Sequence, residues 1–201
     1  MFPRPSLRMT QPEDILNTRW ETIPMKVTEK RGEDIMLVHD TPHRRQDGWP
    51  LICKIRGRVD SVGLNCDVDG DYLEESRRED GCYSFLLGPS NTPNRRKQFD
   101  RFMRALSPLK HHKGYNASLS SFKKYVEDME RLYFFVPMTD FFGNPTTLFV
   151  YDRTGILIPR KNIQQSISGV DVDVTFLLLL DTAINRPNAV FSILHRVQIV
   201  D

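Results

Sequence analysis

The sequence holds three cysteines, Cys53, Cys66 and Cys82, and no Cys-x-x-Cys spacing. An odd set spaced in this way supports neither a disulfide framework nor a cysteine-built zinc site, so the three are read as free thiols. Long apolar runs are also lacking. The longest, Phe176–Leu180, falls far short of the ~20 residues that span a bilayer. The stretch Met1–Arg8 has no secretory-type apolar segment. The expectation is an intracellular chain, nuclear or cytoplasmic, with no membrane partner. The sequon Asn116-Ala117-Ser118 is then a chance match.

Catalytic signatures are missing as well. There is no Gly-x-Ser-x-Gly, His-Glu-x-x-His, Walker loop or dinucleotide fingerprint. His39 and His43 bracket a turn near Asp40 and Asp47, but without a second cluster the spacing is weak for a metal. The run Asp67-Val68-Asp69-Gly70-Asp71 looks like a calcium loop until Gly70 is seen to precede the third Asp, with no Glu at the twelfth position. It is read as a solvated hairpin loop. A two-metal nuclease built on Asp67, Asp69 and Asp71, or on Asp171 and Asp173, is the residual enzymatic alternative. The reading adopted is non-enzymatic, with no catalytic residue, no metal and no cofactor.

What the chain does have is alternation. Candidate strands are Ile35–His39, Leu51–Val62, Cys82–Leu87, Tyr133–Val136, Thr146–Tyr151, Ile156–Ile163, Val172–Leu180 and Ala189–Val200. Val172, Val174, Phe176, Leu178 and Leu180 share one face of their strand, and Asp171, Asp173 and Thr175 begin the other. In the last strand Phe191, Ile193, His195, Val197 and Ile199 are placed on one face, which makes His195 a core histidine. Asn185-Arg186-Pro187-Asn188 between these two strands is turn chemistry, so they are expected to pair as an antiparallel hairpin.

Two helices are expected. Pro93–Leu106 follows the candidate cap Thr92, starts on a proline and carries Phe99, Phe102, Met103 and Leu106 at helical spacing. Leu119–Leu132 is the second, with Leu119, Phe122, Val126, Met129 and Tyr133 on one side. The fold class is α+β and β-rich: an antiparallel barrel or sandwich of about eight strands with two inserted amphipathic helices. Residues 1–33, Pro-containing and polar, are read as an N-terminal arm, and residues 34–201 as a single domain.

The net charge of +2 conceals a strong separation. Asn94–Lys124 carries Arg95, Arg96, Lys97, Arg101, Arg104, Lys110, Lys113, Lys123 and Lys124 against Asp100 alone, a net +8, leaving −6 on the rest of the chain. His111 and His112 lie in the same stretch. Asp60–Asp80 is itself −6. On Leu51–Val62, Lys54, Arg56 and Arg58 point one way while Leu51, Cys53, Ile55 and Val59 point the other. Three cations on one strand face and a basic helix suit a polyanion, because phosphate contacts come chiefly from Arg, Lys and helix N-termini.

Tyr83 and Phe85 of Cys82–Leu87 serve either as core or as stacking platforms. The candidate site is therefore Lys54, Arg56, Arg58, Tyr83, Arg95, Arg96, Lys97, Arg101, Arg104, Lys110 and Lys113. The partner is nucleic acid, single-stranded in preference, and the strand Ile52–Val59 is compatible with a small barrel of the oligonucleotide-binding type. The alternatives are a structural, coat-like subunit that forms homo-oligomers, or a protein-interaction module whose terminal strand takes a partner.

Overall fold

Alternating apolar and polar residues build most of the strands, and the order in which they pair decides what reaches solvent. The computed structural model describes residues 8–22, 34–40, 47–64, 66, 82–107, 109, 117–120, 122–137, 148–181 and 188–200. In chain order the elements are α1 (Pro12–Leu16), β1 (Thr18–Thr22), β2 (Asp34–His39), β3 (Cys53–Val59), β4 (Cys82–Gly88) and α2 (Pro93–Leu106). There follow β5 (Ala117–Ser118), β6 (Lys123–Val126), β7 (Met129–Pro137) and β8 (Val150–Tyr151). A 3-10 turn (Arg160–Asn162), α3 (Ile163–Ile167), β9 (Asp171–Asp181) and β10 (Asn188–Ile199) complete the list.

β9 is the spine. Along one edge its C-terminal end pairs with β2 and its N-terminal half with β3, both antiparallel. β10 runs antiparallel along the other edge. The sheet continues from β3 through β4 and β7 to β6, and from β2 to β1. Short parallel pairings bring β5 and β8 to β10. The result is a β-rich α+β fold, a largely antiparallel sheet of half-barrel form with a few short helices. Among the described residues no helix is long and apolar enough to cross a membrane.

The expected α2 and the β9–β10 hairpin are present, the latter's turn at residues 182–187 lying outside the described residues. Phe99, Phe102, Met103 and Leu106 of α2 are buried, as their helical spacing requires. Val172, Val174, Phe176, Leu178 and Leu180 are fully buried on the core face of β9. Phe176 meets Phe102 edge-on at 5.9 Å between ring centres and Phe134 at 5.1 Å, which ties helix to sheet. Such aromatic contacts add about 0.5–1.5 kcal/mol each beyond the burial of the rings.

Four local expectations are corrected. The described residues of 119–132 form no helix: β6 and β7 make a tight hairpin there, with Glu127 and Asp128 at φ 49° and 59°. Leu132 and Phe134 alternate onto the core face, and β7 supplies β4 with a partner along six residue pairs. Spacings of three and four among apolar residues are satisfied here by a turn between two strands. Ile156–Ile163 is no strand either. Leu157 alone bridges Tyr151, Pro159 has no N–H to continue a ladder, and the chain turns into the 3-10 turn and α3. The ordered strand within Leu51–Val62 is shorter, Cys53–Val59.

The fourth correction matters most for the site. β10 carries a bulge between Leu194 and Arg196, which shifts its register against β9 by one residue. A one-residue slip exchanges the two faces. Ser192, Val197 and Ile199 are therefore buried with the core face of β9, whereas His195 is exposed. The part of residues 1–33 that is described holds α1 and β1, and β1 pairs along five residues of β2.

Candidate nucleic-acid interface

The site begins with the pleat of β3. Cys53, Ile55 and Val59 turn inward, and burial pushes the Cys53 thiol well above its usual range. Lys54, Arg56 and Arg58 turn outward. Register then sets their neighbours on β9: Lys54 lies opposite Thr175, Arg56 opposite Asp173 and Arg58 opposite Asp171. Gly57 keeps β3 close to β4, since a Cβ there would stand 2.5 Å from the carbonyl oxygen of Gly88.

Both carboxylates are sunk beneath the cations. The side chains of Asp171 and Asp173 are 5% and 6% exposed. Asp173 accepts from Arg56 through Nε at 2.5 Å and Nη2 at 2.9 Å, and Lys54 Nζ lies 3.0 Å from its Oδ2. Asp171 accepts from Arg95 Nη1 at 3.0 Å and from the Ser90 hydroxyl, both on Oδ2. Arg58 Nη1 stands 3.8 Å from its other oxygen. Four cations thus meet two anions, and the group keeps a net positive charge. Arg58, with a side chain 40% exposed, reaches furthest into solvent. Beyond it, Arg131 lies over Gly88 and is matched by Asp60, Nε to Oδ2 2.6 Å.

The same face continues across β10 and β8. Gln198 is opposite Asp173 on one side and beside Tyr151 on the other, and Leu157 bridges Tyr151 in turn. Arg56, Asp173, Gln198, Tyr151 and Leu157 therefore stand in one row across five backbone segments. With neighbouring strands ~4.8 Å apart, the row is about 19 Å wide. Beside it runs Lys54, Thr175 and Arg196. The Arg196 guanidinium lies over the Tyr151 ring at 4.1 Å. Phe149, one position before β8, is 44% exposed and Leu157 is 47% exposed. One end of the face is cationic and the other is aromatic and apolar.

The turn at the apolar end is rigidly built. Asp152 Oδ1 accepts from the backbone N–H of Thr154 and of Ile156, each at 2.9 Å, and from the Thr154 hydroxyl at 2.7 Å. These bonds hold the Asp152 carboxyl below its usual range.

The structure brings together only part of the expected site. Lys54, Arg56 and Arg58 converge, and Arg95 joins them from the first turn of α2. Arg96 and Arg104 instead line an open cleft of ≈ 580 Å³ between α2 and the β6–β7 hairpin, with Asp100, Asp128 and Glu130. Lys97 and Arg101 are exposed on α2. Lys110 and Lys113, with His111 and His112, lie outside the described residues, as do Asp67, Asp69 and Asp71.

Tyr83 is corrected: it is 2% exposed and the Arg160 guanidinium lies over its ring at 5.1 Å, so it offers no open platform. Phe85 is core, stacked on Phe134. Asp171 and Asp173 engage cations, and among the described residues no group of three metal-ligating side chains forms. His43 lies outside the described residues.

No protein-family model matches the chain, and no curated protein does. Solved structures do. The single-stranded DNA-binding protein from bacteriophage Enc34 superposes with a TM-score of 0.48 at 13% identity over 90% of each chain. Its C-terminally truncated form gives 0.47 and 13%, covering 89% of this chain and 94% of that one. The truncated form's values recur for the structure of that protein in complex with single-stranded DNA, at 0.47 and 13% over 89% and 94%. These are loose likenesses, and the functional reading rests on this chain's own side chains.

Phe149, Tyr151, Arg196 and Leu157 were not singled out from the sequence as site residues. The alternation Leu148-Phe149-Val150-Tyr151 was the available signal, since it turns two aromatics the same way. That their face joins the basic strand depends on the β8–β10–β9–β3 pairing.

Proposed function

We propose that this chain is a non-enzymatic binding domain that takes single-stranded nucleic acid across the outer face of β3, β9, β10 and β8. The observation that carries the reading is the row from Arg56 to Leu157, cationic at one end and aromatic at the other. Phosphates lie toward Lys54, Arg56, Arg58 and Arg95, while bases rest on Phe149 and on the Arg196 guanidinium plane, which is itself stacked on Tyr151. Single strands are favoured because a duplex hides the base faces such platforms use. Arg96, Lys97, Arg101 and Arg104 add positive field from α2, and Lys110 and Lys113 belong to the proposal on charge alone.

The test is fluorescence anisotropy with a labelled single strand and its duplex, at about 50 and 200 mM salt. The single strand is expected to bind more tightly, with affinity falling steeply as salt rises. Arg58→Ala should lower the slope of log affinity against log salt by about 1. Tyr151→Ala should cost about 1–3 kcal/mol. Binding indifferent to salt, or tighter to duplex, contradicts the reading.

A further inference from the structure

Two acidic side chains lie in the middle of a surface read as binding a polyanion, and simple electrostatics assigns them a harmful role. The geometry points elsewhere. Asp171 and Asp173 are the shared anchors of four long cationic side chains that arrive from two separate elements, β3 and the first turn of α2. We infer that Asp171 and Asp173 are positioning residues for nucleic-acid binding, holding Lys54, Arg56, Arg58 and Arg95 in an array that a phosphate chain can use. This rests on the reading above and adds to it the sign of their effect: removing either negative charge weakens the binding of a polyanion.

The physical reasons are three. Lys54, Arg56 and Arg58 are successive outward residues of one strand, and like charges so placed repel unless an anion lies between them. A free Lys or Arg side chain carries rotamer entropy that a phosphate contact has to remove. A chain already anchored from below has lost much of it before the ligand arrives, and such preorganisation appears as affinity. Burial is the third. A carboxylate with 5% or 6% exposure is costly to hold unless it is paired. These two sit below the cations, so the solvent side of the array is left to the ligand. Asp171 Oδ1 is buried and makes no hydrogen bond, and Arg58 Nη1 stands 3.8 Å from it. Arg58 is thus held by an ion pair without a hydrogen bond, and with 40% exposure its guanidinium still faces solvent.

The experiment compares wild type with Asp173→Asn, Asp171→Asn and Asp173→Glu, using a labelled single-stranded oligonucleotide over a salt series. Thermal melting of each variant is followed in parallel. Asp173→Asn makes the face one unit more positive and is nevertheless expected to bind about tenfold more weakly, with a shallower salt slope, because Lys54 and Arg56 no longer meet the phosphates together. Asp173→Glu keeps the charge and displaces the carboxylate by one methylene, so a positioning role predicts weaker binding there too. Loss of folded protein raises the apparent dissociation constant by the same factor at every salt concentration and leaves the slope unchanged, which separates misfolding from mispositioning. If Asp173→Asn does not fold, Asp171→Asn carries the test, since it leaves the Arg56 and Lys54 pairs intact. Variants that bind as tightly as wild type, or more tightly, overturn the inference while the functional reading stands. A wild type that shows no salt-dependent binding removes both.

Discussion

Gly57 shows how narrowly a single residue can fix this surface. It lies between Arg56 and Arg58, and the place its Cβ would take is 2.5 Å from the Gly88 carbonyl oxygen and 2.8 Å from the Leu87 side chain. Because the nearer obstacle is backbone, no rotamer change relieves it. Gly57→Ala should force β3 from β4 and cost roughly 1–3 kcal/mol, the range for overpacking a dense core. Chemical denaturation measures this directly, and an unchanged midpoint would show that the two strands separate freely. The other telling residue is His195. Strict alternation places it among core side chains, yet the bulge at Leu194/Arg196 turns it to solvent and brings Ser192 inward. A bulge adds one residue without leaving a mark in the hydrophobic pattern, so the reversal was not legible in the sequence.

Among the elements, α2 and the β6–β7 hairpin form a contrast. Helix α2 was readable because proline at its start and four apolar residues at helical spacing point the same way. In the hairpin, apolar residues three and four apart mimic a helix, while the deciding feature is a two-residue turn with positive φ at Glu127 and Asp128. Neither residue is the usual choice there, Asn-Gly being the favoured pair for a turn of that kind. The double variant Glu127→Asn, Asp128→Gly should therefore stabilise the fold by about 1 kcal/mol, read as a higher melting temperature. A lower melting temperature would mean that the exposed carboxylates stabilise the turn by another route. The basic stripe of β3 was also legible, since Lys54, Arg56 and Arg58 alternate with three buried residues.

For the molecule as a whole, β9 pairs with β2, β3 and β10 and so holds both halves of the sheet. Deleting residues 188–201 would strip one full edge of this buried strand and remove the strand to which β8 and β5 attach. Loss of a cooperative thermal transition is the expected outcome, and a sharp transition in the truncated chain would show that β9 is stable with one edge alone. The sequence by itself determined the β-rich class, the position of α2, the β9–β10 hairpin and the separation of charge, because each arises from neighbours along the chain. Tertiary structure alone decided which charges meet. Asp171 and Asp173 are over a hundred positions from Arg56 and Arg58, and strand register, set by core packing and by one bulge, brings them together. The same register carries Tyr151 and Leu157 onto the cationic face and takes Tyr83 from it, since a side chain's exposure depends on what packs over its strand.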